Sequence, residues 1–370
     1  MRVAVIGGGP AGSTAAMFLS FRGVDVDLYE ALPAPRAICA GGLGAGAVNR
    51  ICSVSDYHRR ALFESMIRFV DEIEIIVGDR SVLLSYDDYD EAFMGMTIFR
   101  KAFDQRLLDF CNRLGVNVVI GCGKVGWRTD GDRVVVSTKD GSETYDYVIV
   151  ATGAATWNCW GDTKMITCVE WTSDARTDRF VLYFDKKLFK MGYAWAFPYV
   201  LDKALIGFGE LSSEFPSRKD EIRDESFKVL GSRLHGRVYP VDFYGGFVVK
   251  SPSSSKDVVL HDRMSRRILY TGTAAGFIDP TTGGGILYAV LSGKAVAESV
   301  SRSPRLTALK YKLKTMKLRT AIDVSARVRK LIESSDNDRL FELLEDAACM
   351  YRGRVDAISA IKFVSKWLHL

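Results

Sequence analysis

The chain opens with a short apolar run from Arg2 to Ile6, then shows helical spacing from Pro10 to Arg22 and a second apolar run from Val24 to Tyr29 that ends in Glu30. This order predicts a strand, a helix and a second strand, a βαβ unit. Ala31 to Gly46 is rich in Pro, Gly and Ala and reads as a functional loop. Phe99 to Leu114 has a helical period. Apolar runs at Val116–Ile120, Arg133–Thr138 and Tyr147–Ala151 read as strands, with turn signals at Asp130-Gly131 and Asp140-Gly141. From Ala154 to Val249 aromatic and β-branched residues dominate, which predicts an antiparallel sheet. The opening style returns at Ile268 with a strand to Tyr270, a glycine-rich turn through Gly285 and a helix from Ile286 to about Val300. Leu306 onward is helical, without repeats.

These elements predict an α/β fold in which a Rossmann-like dinucleotide-binding domain is interleaved with an antiparallel substrate domain and followed by C-terminal helices. The expected division is 1–153 with 268–300 for the nucleotide domain, including an insert at 39–98, then 154–267 for the substrate domain and 301–370 for the helical region.

Composition changes this picture little. With 370 residues, 48% of them hydrophobic, the chain can bury a large core. Its net charge of +5 does not argue for nucleic acid, and no module for it is present. Arg2 followed by the uncharged stretch Val3 to Phe21 imitates a signal peptide, but three glycines and Pro10 make a poor apolar region, and a soluble strand pattern follows. The seven cysteines, at 39, 52, 111, 122, 159, 168 and 349, lack the CxxC spacing of a metal site and suit a reducing cytoplasm.

The strongest motif is Gly7-Gly8-Gly9-Pro10-Ala11-Gly12 between the first strand and helix, with Glu30 placed 18 residues beyond Gly12. Gly7 permits the tight turn, Gly9 lets backbone N–H groups approach a pyrophosphate, Gly12 lets helix pack on strand, and Glu30 can accept from ribose hydroxyls. Gly121-Cys122-Gly123-Lys124-Val125-Gly126 fits the same expression. Trp127 to Asp132 cannot start an amphipathic helix, so this second match reads as a hairpin, and a separate nicotinamide domain is not expected.

Further segments carry a resemblance. Arg100-Lys101-Ala102-Phe103-Asp104, the run Asp146 to Gly153, and Gly272-Thr273-Ala274-Ala275-Gly276-Phe277-Ile278-Asp279-Pro280 with Gly283-Gly284-Gly285-Ile286 resemble the spaced flavin-binding segments of the para-hydroxybenzoate hydroxylase-like flavoproteins. Within that group the chain is similar to the archaeal geranylgeranyl reductases from about Arg2 to Gly293. The resemblance implies FAD as cofactor, with Ala11 and Glu30 on the adenosine side, Arg100 and Val125 lining the dinucleotide, Gly153, Thr273 and Gly284 close to it, and Gly285 and Ile286 at the flavin ring. Consecutive N–H groups at a helix N-terminus suit negative charge on a reduced flavin. Thr273 departs from the pattern, which has Asp after the glycine; Thr is shorter and uncharged, which predicts either a looser hold on FAD or a different neighbour that compensates.

Tyr193-Ala194-Trp195-Ala196-Phe197-Pro198 followed by Gly207-Phe208-Gly209 matches the YxWxFP and GxG segments of those reductases. In a strand, Tyr193, Trp195 and Phe197 share one face, either as plain sheet core or as a wall for a polyprenyl chain, with Pro198, Gly207 and Gly209 beside them. Cys39 precedes Gly41, Gly42 and Gly44 in the loop that the resemblance lays against the flavin, so Cys39 is either an inert thiol or a group that tunes the flavin.

The function implied is hydrogenation of isoprenoid C=C bonds in a membrane-lipid precursor, with Cys39, Tyr193 and Trp195 as catalytic candidates. The electron donor stays open among ferredoxin, a deazaflavin and NAD(P)H. No proton donor stands out, Tyr193 being an option with a pKa far from neutral. A flavin-dependent halogenase or monooxygenase is one alternative, although related halogenases carry Trp-x-Trp-x-Ile-Pro, from which Tyr193 and Phe197 depart; a non-enzymatic prenyl-binding carrier on the same fold is the other. A cluster-bearing quinone oxidoreductase is disfavoured, because Cys349 is the lone cysteine after Val300. Between Arg302 and Lys330 there are ten basic residues and one acid, Asp323, with Leu309, Leu313 and Met316 at helical spacing among Lys310, Lys314 and Lys317. This stretch is either a solvated face or a peripheral contact with anionic lipid.

Overall fold

The computed structural model describes residues 1–35, 38–88, 92–155, 164–236 and 240–352. Cys159, parts of the expected substrate domain (156–163, 237–239) and residues 353–370 of the expected helical region lie outside the described residues, as does the side chain of Cys349.

The nucleotide half begins as the hydrophobic pattern dictates. β1 (Arg2–Ile6), α1 (Pro10–Ser20) and β2 (Asp25–Glu30) form the βαβ unit, and Val3, Ala4 and Val5 are completely buried. The loop beyond Glu30 is more structured than its composition suggests: β3 (Gly42–Gly44) leads directly into α2 (Ala45–Cys52). Next come α3 (Asp56–Glu64), β4 (Met66–Val70), β5 (Glu72–Val77), β6 (Arg80–Ser85), β7 (Gly95–Ile98), α4 (Arg100–Arg113) and β8 (Asn117–Ile120). β9 (Gly126–Asp130) and β10 (Arg133–Thr138) form the expected hairpin in place of a second nucleotide helix, extended by β11 (Gly141–Tyr145). β12 (Tyr147–Val150) follows.

The second half contains β13 (Lys164–Ser173), β14 (Phe180–Phe184), β15 (Tyr193–Pro198), β16 (Ala204–Leu211), α5 (Phe215–Gly231) and β17 (Pro240–Ser251). β18 (Ile268–Tyr270) returns to the nucleotide half and is followed by α6 (Ile286–Ser299), α7 (Pro304–Lys314), α8 (Met316–Ser334) and α9 (Asn337–Arg352).

Five parallel strands in the order β18-β12-β1-β2-β8 form the Rossmann-like sheet. Its apolar core runs from β1 and α1 to α4, α6 and α7. The substrate sheet has seven strands, β17-β13-β16-β15-β14-β5-β6. Two of them, β5 and β6, come from the segment expected to belong with the nucleotide domain, and β5 runs parallel to β14. The middle sheet is therefore mixed. The alternating side chains of Glu72–Val77 find their partner only far along the chain, so local pattern cannot show the pairing.

The substrate sheet packs α5 against one face, where Ala194, Ala196, Ile206 and Phe208 lie, and turns Trp195, Leu205, Tyr193 and Phe197 toward the nucleotide half on the other. The C-terminal helices join the two halves. Tyr311 of α7 donates to the carbonyl of Tyr270 at 2.8 Å, and Ser325 of α8 donates to Asp279 at 2.9 Å. On α9, Asp338 pairs with Arg80 of β6, whose guanidinium lies 4.2 Å from the centre of the Phe341 ring.

Candidate active site at the junction of the two sheets

At the nucleotide end, backbones approach too closely for side chains. A Cβ on Gly12 would lie 1.9 Å from the Gly7 carbonyl oxygen, and one on Gly7, whose φ is +104°, would lie 2.5 Å from that of Ala151. Gly9 is the exception: nothing stands within 4 Å of the space above it, and as N-cap of α1 it makes no side-chain cap. Open space in front of unserved N–H groups at a helix N-terminus is what a pyrophosphate requires. Glu30 accepts from Gly8 N–H at 2.7 Å and Leu32 N–H at 3.0 Å, so it braces the turn as well as facing a ribose position. Ala11 lies against the Gly272 turn, where a Cβ would stand 2.7 Å from its methyl. Thr273 is half-buried in that turn.

Val125 follows a segment tied to the same end: Cys122 N–H donates to the Glu30 carbonyl and Gly123 N–H to that of Ala31. Gly153 opens a short turn after β12.

The other end collects the remaining candidates. Gly41 backs directly onto Ile98 of β7, whose N–H donates to its carbonyl at 3.0 Å. Gly44 caps α2. Arg100 is half-buried rather than a solvated helix start: it pairs with Asp104 at 3.2 Å, and its charge acts on the Cys39 thiol. Burial pushes Cys39 above its ordinary pKa, against the pull of Arg100, so it is a neutral thiol at pH 7. Gly285 is the N-cap of α6, again without a side-chain cap, and Ile286 begins the helix. The preceding turn is held by Asp279, whose carboxylate accepts from the N–H groups of Thr281 and Thr282, both at 2.9 Å, while its own N–H donates to Gly284. Two helices, α1 and α6, thus begin at glycines without side-chain caps.

Strand register explains the aromatic motif and its glycines together. Across three strands, Glu170, Gly207 and Trp195 form one row, and Cys168, Gly209 and Tyr193 form the next. The missing side chain at Gly207 makes room for the indole and the glutamate: a Cβ there would lie 2.6 Å from Trp195 and 2.8 Å from Glu170. Gly209 similarly clears Cys168. Tyr193 and Trp195 have ring centroids 5.5 Å apart, Phe197 packs on Phe180, and Pro198 closes the strand opposite Ala204. Two contacts tie this wall to the nucleotide half. Phe197 lies over Gly42, and Tyr193 donates its hydroxyl hydrogen to the Thr282 carbonyl at 2.7 Å. That hydrogen is engaged, and burial raises the Tyr193 pKa, so the phenol is a poor acid.

Sequence reasoning passed over Glu170. It is completely buried among the aromatics, its Oε1 accepts from Trp195 Nε1 at 3.3 Å, and Oε2 has no partner among the described residues. Burial pushes its pKa up to about 7, against the lowering effects of Trp195, the Ala40 backbone and Arg100. The one signal in the chain was a glutamate at strand spacing from Cys168, opposite a GxG glycine.

The pyridine nucleotide-disulphide oxidoreductase family matches residues 1–158. Digeranylgeranylglycerophospholipid reductase 2 of Methanosphaera stadtmanae is 26% identical over 79% of this chain and 75% of its own length. The Picrophilus torridus enzyme named digeranylgeranylglycerophospholipid reductase is 26% identical over 80% of this chain and 76% of its own. Among solved structures, a geranylgeranyl bacteriochlorophyll reductase-like protein of Thermoplasma acidophilum superposes with a TM-score of 0.80 at 19% identity, covering 99% of this chain and 96% of the other. A flavin-dependent halogenase shares the fold at a TM-score of 0.72 and 18% identity, over 100% of this chain and 78% of its own.

Proposed function

As a member of the geranylgeranyl reductase family of FAD flavoproteins, this chain, we propose, hydrogenates isolated C=C bonds in the isoprenoid chains of a membrane-lipid precursor. It is a flavin-dependent oxidoreductase with FAD as its cofactor. The observation that carries the substrate class is the row of Tyr193, Trp195 and Phe197, clamped at Gly42 and Thr282 against the loops that fit the flavin. Bound and reduced, FAD supplies a hydride equivalent.

The protein's own residues supply the rest. An isoprene alkene has no carbonyl to hold negative charge, so the site must favour positive character at the more substituted carbon. The faces of Trp195 and Tyr193 do this through their quadrupoles and exclude water. Arg100 and the N-terminus of α6 offer positive potential for an anionic reduced flavin. Cys39 lies beside Arg100 as a neutral thiol able to tune that environment. An external reductant recharges the flavin, with ferredoxin, a deazaflavin and NAD(P)H as the candidates.

The substrate's tails belong to a bilayer, and the surface offers a place to meet it. Leu306, Leu309, Leu313 and Met316 are exposed, between 43% and 59%, amid exposed Lys310, Lys312 and Lys317. Beside them a groove of about 450 Å³ is lined by His261, Arg266, Arg305 and Lys312. No helix among the described residues is long and apolar enough to cross a membrane. Apolar side chains ringed by cations suit peripheral docking on anionic lipid.

The test is anaerobic. Holoprotein reduced with dithionite is mixed with a geranylgeranylated lipid, and flavin reoxidation is followed together with the mass of the lipid. Reoxidation with gain of two hydrogens per bond supports the reading. No reoxidation across isoprenoid substrates, or a colourless protein that FAD cannot load, overturns it.

A further inference from the structure

Two glutamates are completely buried in the substrate sheet, and their surroundings treat them differently. Glu210 accepts from the backbone N–H groups of Lys190 at 2.7 Å, Met191 at 3.1 Å and Leu211 at 2.6 Å, so both its oxygens are served. Glu170 is served on Oε1 alone by Trp195, and its Oε2 has no partner among the described residues. Leaving a buried acceptor unpaired costs stability, and replacement by an apolar side chain would remove that cost. The Glu170 carboxyl feels the aromatic wall through Trp195, the loop at Ala40 and Arg100 at the start of α4.

We propose that Glu170 is the acid that protonates the substrate alkene, an inference that rests on the reductase reading above. In the step, the proton leaves the Glu170 carboxyl and bonds to one alkene carbon using the π pair. The other carbon takes the hydride equivalent, with the reduced flavin as the two-electron reductant. C=C becomes CH–CH, and Glu170 is left as a carboxylate that water reprotonates.

The groups facing Glu170 allow it to hold this proton near neutral pH. Cys168 on its own strand, Cys39 on the loop, Tyr193 on β15, Tyr199 beyond it and Tyr244 on β17 are all raised in pKa, with burial the largest cause, and are therefore neutral. Arg100 is cationic, but Asp104 shares its charge. Glu170 itself is poised at about 7, where a group can both give and regain a proton. Trp195 holds the carboxyl in place with its indole N–H while presenting its ring to the chain being reduced.

The decisive variant is Glu170→Gln in the FAD-loaded protein. It keeps the shape of the side chain, so FAD binding is expected to be unchanged. Reoxidation of reduced flavin by geranylgeranylated lipid should slow by about a hundredfold or more. In the wild type the rate should fall about tenfold per pH unit above pH 7, and Glu170→Gln should abolish that dependence. Glu170→Asp, which retains a carboxyl, should recover part of the rate together with a pH dependence. A readout independent of turnover is the infrared band of a buried carboxylic acid, which should disappear in the wild-type protein as pH rises through about 7 and be missing from Glu170→Gln. Equal rates and pH profiles in wild type and Glu170→Gln would overturn the proposal while leaving the reductase reading intact, as would the lack of a carboxyl band titrating in that range. Failure of the wild type itself to react with isoprenoids would remove both.

Discussion

Phe197 and Gly42 meet across the boundary between the substrate sheet and the nucleotide half: a Cβ on Gly42 would stand 2.6 Å from the phenyl ring. No side chain fits there unless the ring or the loop moves. The aromatic wall and the glycine loop are therefore one packing unit, and a change to either is felt by the other.

Gly42→Ala should consequently destabilise the protein by about 1–3 kcal/mol, the usual cost of overpacking. Denaturant unfolding of the apoprotein measures it. Phe197→Leu in the same chain should recover at least half of the loss, because it withdraws the ring atoms that the new methyl meets. Strict additivity of the two changes would contradict the contact.

Thr273→Asp tests the hold on the cofactor. A carboxylate in the Gly272–Ala275 turn can accept charge-assisted hydrogen bonds from hydroxyls of the dinucleotide that Thr can serve only weakly. FAD should bind roughly tenfold more tightly, about 1.4 kcal/mol, in a flavin-fluorescence titration of the apoprotein. Unchanged or weaker binding would remove Thr273 from the cofactor's neighbourhood.

The exposed apolar ridge on α7 predicts a lipid dependence. Leu309→Glu with Leu313→Glu should abolish cosedimentation with phosphatidylglycerol vesicles and leave cosedimentation with neutral vesicles at its low wild-type level. Activity on a detergent-dispersed substrate should persist, since neither residue touches the aromatic wall. Continued binding of the double variant to anionic vesicles would contradict docking through this ridge.

His58 sets an acid limit on stability. Its ring is completely buried, with Thr14 Oγ1 at 2.9 Å from Nε2 and Ser55 Oγ at 2.7 Å from Nδ1. Burial, with a smaller contribution from Lys294, lowers its pKa from 6.5 to about 4. The unfolded chain takes up a proton below pH 6.5 that the native chain refuses until about pH 4. Stability from this site is therefore complete above 6.5 and declines as pH falls through that window, by on the order of 3 kcal/mol. By denaturant unfolding between pH 7 and 4, the wild type should lose stability relative to His58→Gln by about this amount as pH falls, while Glu170, whose raised pKa acts in the opposite sense, contributes equally to both proteins.

The nucleotide unit was legible in the sequence because its signals are local. Gly7, Gly9 and Gly12 stand at fixed offsets between an apolar run and a helical period, and Gly121–Gly126 betrayed itself by the polar residues that follow. The substrate sheet was legible in kind and not in membership. Ile73, Ile75 and Val77 alternate as any strand does, and nothing near them names Phe180–Phe184 as partner. Glu170 escaped for a related reason. A single acid in Lys164–Ser173 reads as a solvent-facing position, and only register across three strands sets it beside Gly207 and under Trp195. The same register turns the GxG segment from a motif into a clearance.

The parallel pairing of β5 with β14 has a consequence for biosynthesis. The β5–β6 hairpin leaves the ribosome about a hundred residues before the strand that covers its edge. At translation rates of about 5–20 residues per second, that edge waits on the order of ten seconds, with Ile73, Ile75 and Val77 unsheltered. The nascent chain, rather than the finished protein, is thus the stage most exposed to misassociation, and overexpression yield should respond to chaperone supply and to slower growth temperature more than to changes on the finished surface.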